Sequence, residues 1–404
     1  MKKLIKTNNT KTLFALLFFS LFFFSAKLFS QQSLVKKNKI AVLCPLYLDS
    51  AFTDYSYNLG NNNMPQYILT GLDFYNGVML AVDSLNKEHI NAEVWIYDTK
   101  KKNTDINAIL QSMKVLNFSL ILASFTSPAE QKTVSDFSFA NNIPVISVTY
   151  PNDAGITANP YFVMLNSTLK THVTGIYNYT AQNFLYNKPI FVTKAGALES
   201  KIATDFKAND TLTKNHLQYR VMQLNNTVYF NDLKPYLDSN RQNTIICGSL
   251  NSDFALSLVK ALGNNPQYKT TLIGMPNWDG MRKLLNNSFN NVNIVYSTAF
   301  NFDTTDAVVQ TISTEYKAKF FARPSDLVYK GFYAMYRYTH LVNDYENELI
   351  GHLSDTSGQT KNGFLVQPVL ITAQSMVPDY QENKNLFFVK KNKGVIVTIT
   401  QLKK

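Results

Sequence analysis

Cysteine, tryptophan and glycine are scarce, at 2, 2 and 15 among 404 residues. Two thiols allow one bridge at most. Cys44 (AVLCP) and Cys247 (TIICGS) stand in apolar runs far apart in the chain, so they read as two buried free thiols rather than a bridge. Neither has a histidine close by in sequence, which argues against a catalytic thiol. The few glycines form neither GxGxxG nor GxxxxGK[ST], and HExxH and GxSxG are absent as well, so those phosphate-binding, zinc-peptidase and nucleophile-elbow motifs are excluded. His89, His172, His216, His340 and His352 are isolated, with no second His or Cys at metal-ligand spacing. No metal, no cofactor and no enzymatic activity are therefore expected. Two carboxylates brought together only by folding are the arrangement that this search leaves open.

Charge is sparse too, at 17%, against 45% hydrophobic and 13% aromatic residues, which is the reverse of a disordered composition. A chain of this length exceeds the ~250–300 residues at which a single core stops growing, so two lobes are expected. The net charge of +11 is concentrated at the ends: residues 1–30 hold five lysines and no acid, and Lys384 to Lys404 hold six more lysines and no carboxylate side chain. The body is close to neutral and carries no basic groove, so no nucleic-acid partner is expected.

The apolar run Leu13 to Phe24 (LFALLFFSLFFF) follows Lys2, Lys3, Lys6 and Lys11 and is short of the ~20 residues that a membrane span needs. It reads as the core of a cleavable signal peptide, residues 1–30, cut after Ser30. The first cysteine lies far beyond it, so no lipid anchor is expected. A periplasmic or secreted location follows.

Beyond Lys36, short apolar runs alternate with segments of helical periodicity. The runs are Lys39 to Pro45, Ala92 to Tyr97, Ser119 to Ala123, Ile143 to Val148, Ile190 to Thr193, Tyr219 to Leu224, Thr244 to Gly248, Thr271 to Met275 and Val292 to Tyr296. Most are continuously apolar, as strands buried on both faces are, which predicts parallel sheet. Helices are predicted at Leu72 to Leu85, Asp105 to Leu116, Pro128 to Ala140, Leu169 to Phe184, Phe254 to Leu262 and Ser325 to Tyr345. The fold class is α/β, two doubly wound lobes with a cleft between them. Asn385 to Val389 and Gly394 to Leu402 read as a terminal hairpin or edge ribbon. The aperiodic stretch Leu46 to Gln66 is a candidate lid.

Ser127, Pro128 and Glu130 form a helix start, with Ser at the cap, Pro at the first helical position and Glu three residues after the cap. The preceding loop then lies at the carboxyl end of a parallel strand, where open α/β sheets bind ligands. Thr149 and Tyr150 end the next strand at the same edge.

The succession KIAVLCP, DFYNGVMLAVDSLN, ILASFTSPAEQKTVSDFSFANNIPVISV, NPYFVMLNS, IICGSLNSDFALSLVKAL, TTLIGMPNWD and FFARPSDLVYKGFYAMYRY resembles the type I periplasmic solute-binding proteins, the Leu/Ile/Val-binding and receptor ligand-binding family, in particular the Bacteroidetes-type amino-acid transporter binding proteins. The resemblance implies three crossings between lobes, near Phe162 to Leu165, Tyr296 to Ala299 and Tyr345 to His352. Lobe 1 would comprise residues 36–163 and 297–345, and lobe 2 residues 164–296 and 346–404. It also implies a ligand site of Thr126, Ser127, Thr149 and Tyr150 on lobe 1, faced by Ala195 to Leu198, Ser249, Asn251, Asn277, Trp278 and Asp279 on lobe 2. Tyr47, two residues past the first strand, would stack with Trp278 on an apolar or sugar ligand.

By that resemblance helix amides and hydroxyls hold an α-carboxylate, while aromatic and acidic groups hold the ammonium. Here Glu130 can fill the helix start itself and repel an anion, and no arginine stands in the matched loops. Asp279 suits an ammonium, or equally caps a helix from Gly280. The expected function is capture of a small, amino acid-like or other polar solute by hinge closure of a monomer, with a membrane permease or another envelope protein as partner. An envelope scaffold with a degenerate cleft is the alternative, and a hydrolase with cleft carboxylates a third.

Overall fold

The computed structural model describes residues 37–404 except 55, 61–63, 91, 212–215, 286–288, 290, 356, 361–362, 372–375, 393–394 and 403–404. The signal-peptide reading at residues 1–30 lies outside them. The chain begins one lobe with β1 (Asn38–Cys44), the single turn α1 (Leu48–Ala51), a small hairpin of β2 (Phe52–Thr53) and β3 (Ser56–Tyr57), and α2 (Gln66–Lys87). Next come β4 (Ala92–Asp98), α3 (Ile106–Met113), β5 (Leu120–Ala123), α4 (Pro128–Asn141), β6 (Val145–Ser147) and β7 (Phe162–Met164). The second lobe holds α5 (Leu169–Phe184), β8 (Ile190–Lys194), α6 (Ala197–Asp210), β9 (Arg220–Leu224), α7 (Phe230–Leu233), β10 (Asn243–Cys247), α8 (Ser252–Gly263), β11 (Thr270–Gly274) and β12 (Val292–Thr298). The chain then returns through α9 (Ala307–Phe320), α10 (Asp326–Tyr345), β13 (Val366–Val369) and β14 (Tyr380–Asn383) to the first lobe. It ends in the second with β15 (Leu386–Asn392) and β16 (Val395–Leu402).

Each lobe has one seven-stranded sheet, ordered β13-β14-β7-β6-β5-β1-β4 and β16-β15-β12-β11-β10-β8-β9. The strands predicted from continuous apolar runs pair in parallel, as β1 does with β4 and β5; within the two seven-stranded sheets, antiparallel pairing among the described residues is confined to β13 with β14 and to β15 with β12 and β16. In both sheets the first strand of the lobe lies between the second and the third, so each has a switch point where connections leave in opposite directions: β1/β5 in one, β8/β10 in the other. Both cysteines are free and buried. Burial raises their pKa values, that of Cys247 to about 12.

The first lobe packs α2 against α10 at backbone distance. A Cβ on Gly77 would lie 1.9 Å from the Val328 carbonyl oxygen, and one on Gly331 2.3 Å from that of Phe74. Glycine there is a requirement of close approach. Leu85 joins this core at 2% exposure, whereas Leu72 is half-buried.

The lobe crossings differ in part from expectation. Phe162 to Leu165 contains β7, and the chain leaves the first sheet only after Met164; the second passage follows the end of β12 at Thr298. Tyr345 to His352 is not a crossing. Leu349 and Leu353 pack into the first lobe's core, β13 and β14 extend that lobe's sheet, and the third passage is Lys384 and Asn385, between β14 and β15. β13 and β14 therefore belong with the first lobe.

One buried side chain ties the three passages together. Asn383, fully buried, donates through Nδ2 to the carbonyls of Leu165 (3.2 Å), Ala299 (3.5 Å) and Asn385 (3.4 Å). Its Oδ1 accepts from the amides of Leu365 and Asn385, both 3.1 Å, and its own carbonyl accepts from Ser167 Oγ at 2.6 Å. Beside it Glu382 accepts from the Thr168 amide and hydroxyl at 2.7 and 2.8 Å and from Lys384. Burial works to raise the Glu382 pKa, but Lys384 and the hydrogen bonds bring it below the usual range.

His172 on α5 lies against Ser297 of β12, Nδ1 to Oγ 2.8 Å. Burial lowers its pKa to about 4, against the opposing pull of Glu382. The folded protein holds this ring neutral while the unfolded chain protonates it near pH 6.5, so its contribution is complete above that pH and is lost as pH falls towards 4. Denaturant titrations of the wild type from pH 7 to 4 should therefore lose about 3 kcal/mol that His172→Gln does not lose. Parallel pH profiles of the two would show that His172 is not the group responsible.

Candidate functional site

The carboxyl ends of both sheets lie at the level of the three passages, so the two switch points belong to facing walls. On the first lobe, Asp98 ends β4 and accepts from the amides of Leu46 (2.9 Å), Tyr47 (3.1 Å), Leu48 (2.9 Å) and Lys100 (2.9 Å). That carboxylate bends the chain sharply after β1 and holds Tyr47 at φ 53°. Tyr47 meets Tyr67 edge-on, with centroids 4.8 Å apart, and Tyr67 stays half exposed.

At the end of β5 the predicted cap is present: Ser127 Oγ accepts from the Glu130 amide at 3.2 Å. The Glu130 side chain turns back over the same helix start. Its Oε2 accepts from Thr126 Oγ1 at 3.0 Å, from the Thr126 amide at 3.3 Å and from Lys100 Nζ at 3.1 Å. Glu130 is 6% exposed, and its Oε1 is buried without a hydrogen-bond partner. Ser124 Oγ and Thr149 Oγ1 are 3.1 Å apart, and Asn166 Nδ2 donates to the Thr149 carbonyl at 2.7 Å, joining β6 to the first passage. Tyr150 packs onto the core beneath.

The second lobe repeats this pattern. α6 follows β8 at the switch point, and Glu199 in its first turn is 7% exposed. Glu199 Oε1 accepts from Ser249 Oγ at 2.7 Å and lies 4.0 Å from Lys194 Nζ. Its Oε2 rests on Gly196, where a Cβ would come within 2.1 Å of it. Ser249 also accepts from the Asn251 amide at 3.0 Å, and Asn251 caps α8 through the Phe254 amide at 2.8 Å. Ser249 and Asn251 thus shape the wall by holding Glu199 and a helix start.

After β11 the expectation divides. Asn277 Nδ2 donates to the Leu250 carbonyl at 2.8 Å. Trp278 is not a cleft residue: it is 1% exposed within the second lobe's core. Gly274 leaves the space for its indole, and a Cβ there would lie 2.1 Å from the ring. The proposed stack of Tyr47 and Trp278 is therefore absent. Asp279 is exposed and stands inside the 3-10 turn Pro276–Gly280 rather than capping a helix beyond it.

Asp279 is near the first turns of α10. Its pKa is raised by desolvation and by Asp326, against the opposite influence of Lys330 and the Tyr296 phenol. Burial lowers that of Lys330, countered by Asp326 and Asp279, and its ammonium stands 4.8 Å over the Phe300 ring. These groups come from both sides of the second passage. Asp326 and Lys330 escaped the sequence reading because charges one turn apart on a long helix look like a solvated face.

A cavity of about 220 Å³ lies beside the third passage, lined by Thr168, Thr171, Asn178, Tyr380, Glu382 and Lys384 among others; its carboxylate is the one already held by Lys384 and Thr168. Among the described residues no cluster could hold a metal and no helix is long and apolar enough to cross a membrane.

No family model and no curated protein sequence matches the chain. Solved structures do. A branched-chain amino acid ABC transporter periplasmic ligand-binding protein from Burkholderia xenovorans LB400 is similar with TM-score 0.61 at 12% identity, covering 91% of this chain and 95% of that one. An ABC-type branched-chain amino acid transporter from Rhodopseudomonas palustris CGA009 gives 0.60 at 12%, covering 90% and 96%. An ABC transporter substrate-binding protein from Desulfitobacterium hafniense, in complex with Leu, gives 0.56 at 12%, covering 90% and 100%. The chain has the two-lobed α/β fold of the type I periplasmic binding proteins, as the resemblance implied.

Replacing Trp278 removes core and leaves a cavity under β11, so Trp278→Ala should lose about 3–5 kcal/mol in urea unfolding. A stability within 1 kcal/mol (roughly the scatter of surface substitutions) would return Trp278 to the cleft.

Proposed function

We propose that the chain is a periplasmic or secreted solute-binding protein that captures a small molecule between its lobes by closing about the three passages, without chemistry of its own, and delivers it to a membrane permease. The observation that carries this reading is the pair of α/β lobes joined by three passages at the carboxyl ends of their sheets, with Asp279 of one lobe within electrostatic reach of Asp326 and Lys330 of the other. A solute touching both walls favours the closed arrangement by its differential affinity for it. A second reading, an envelope scaffold whose cleft takes no solute, draws on the buried glutamates in the first turns of both helices, Glu130 and Glu199.

A thermal-shift screen of the chain from Gln31, against amino acids, amino-acid amides, amines, small sugars and muropeptide fragments, separates them. A ligand at about a hundred times its Kd adds ~2.7 kcal/mol, a shift of several degrees at this chain length. Asp279→Asn should leave the unliganded melt in place and weaken the hit tenfold or more. A cooperative melt that no compound moves would favour the scaffold.

A further inference from the structure

The two helix starts at the switch points are the natural anion sites of this architecture, since unpaired amides and the helix dipole converge there. In this protein each has a buried glutamate in its first turn. Glu130 sits over α4, clamped by Lys100 and Thr126, and Glu199 over α6, held by Ser249 with Lys194 beside it. Both glutamates are more than nine-tenths buried, so a solute carboxylate brought to either start would meet a like charge with little water to screen it. No arginine stands in these loops to accommodate a second anion.

What the walls leave over is acceptor capacity. Glu130 Oε1 is buried with no donor. Asp279 after β11 and Asp326 on α10 both act electrostatically on the Lys330 ammonium, which itself stands over the Phe300 ring. The half-exposed Tyr47 and Tyr67 add an aromatic face at the mouth of the first switch point.

We infer that the solute is a small organic amine or amide that lacks a carboxylate, because the protein itself supplies a carboxylate at both helix starts where an amino acid would place its own. This rests on the solute-binding reading above and names the ligand class for that same cleft.

The test is isothermal titration of the chain from Gln31 with two matched series: leucine, leucinamide and 3-methylbutylamine, and phenylalanine, phenylalaninamide and 2-phenylethylamine. Leucine is included because the Desulfitobacterium hafniense protein was solved with it. The amine or amide should bind at least tenfold more tightly than the amino acid of its series. Amino acids binding as tightly or more tightly overturn the inference and leave solute capture standing. If neither series binds, the inference falls, while solute capture is decided separately by the sugars and muropeptides of the wider screen. Glu130→Gln, which keeps the shape and removes the charge, should raise leucine affinity tenfold relative to the amine, with Glu199→Gln as the second variant should the first not fold. An unchanged ratio in the folded variant contradicts the assignment.

Discussion

Asn383 is the side chain on which the two-lobed arrangement depends. A buried backbone carbonyl without a donor costs on the order of 1–3 kcal/mol, and a hinge of three irregular passages exposes several such carbonyls in one place. Asn383 answers those of Leu165, Ala299 and Asn385 with one amide group and takes the Leu365 and Asn385 amides on its oxygen. The passages are therefore held as one bundle. Glu382 and Lys384 on either side fasten the same bundle to the start of α5.

From that bundle the rest follows in order. The carboxyl ends of both sheets are brought to one level, and with them two helix starts that would each attract an anion. Each has a buried glutamate in its first turn, Glu130 and Glu199.

The strands and helices were legible wherever burial is two-sided and apolar: the nine runs became strands within a few residues of their predicted bounds. The terminal ribbon, read as a hairpin or edge ribbon, is present as β15 and β16. β14 was not legible, because Tyr380-Gln381-Glu382-Asn383 carries no apolar pattern although all four residues are buried. Its polar side chains are spent on the hinge, and without it residues 366–383 looked like part of the second lobe. β7 was hidden by its length, three residues that the family resemblance assigned to a crossing. At the site, the helix start at Ser127 and Glu130 followed from cap spacing alone, whereas the engagement of Ser249 with Glu199 carries no local signal in the sequence. Trp278 misled because an aromatic residue after a strand looks like a ligand platform, while the space beneath it is made by Gly274, four residues earlier. Lys100 and Glu199 could have been found from charge: each lies within a few residues of a strand's carboxyl end, Lys100 after the edge strand β4 and Glu199 at the β8/β10 switch point.

The most direct measurement is the distance between the lobes, read by pulsed electron resonance from spin labels at Val115→Cys and Tyr186→Cys, positions 81% and 92% exposed on the first and second lobe. Both native cysteines are buried, so the labels report these two sites. With Asn383 in place the distribution should be narrow, in one or two populations, and Asn383→Leu should spread it into a broad continuum while each lobe keeps its secondary structure. An identical narrow distribution in Asn383→Leu would contradict the assignment of the hinge to that one side chain.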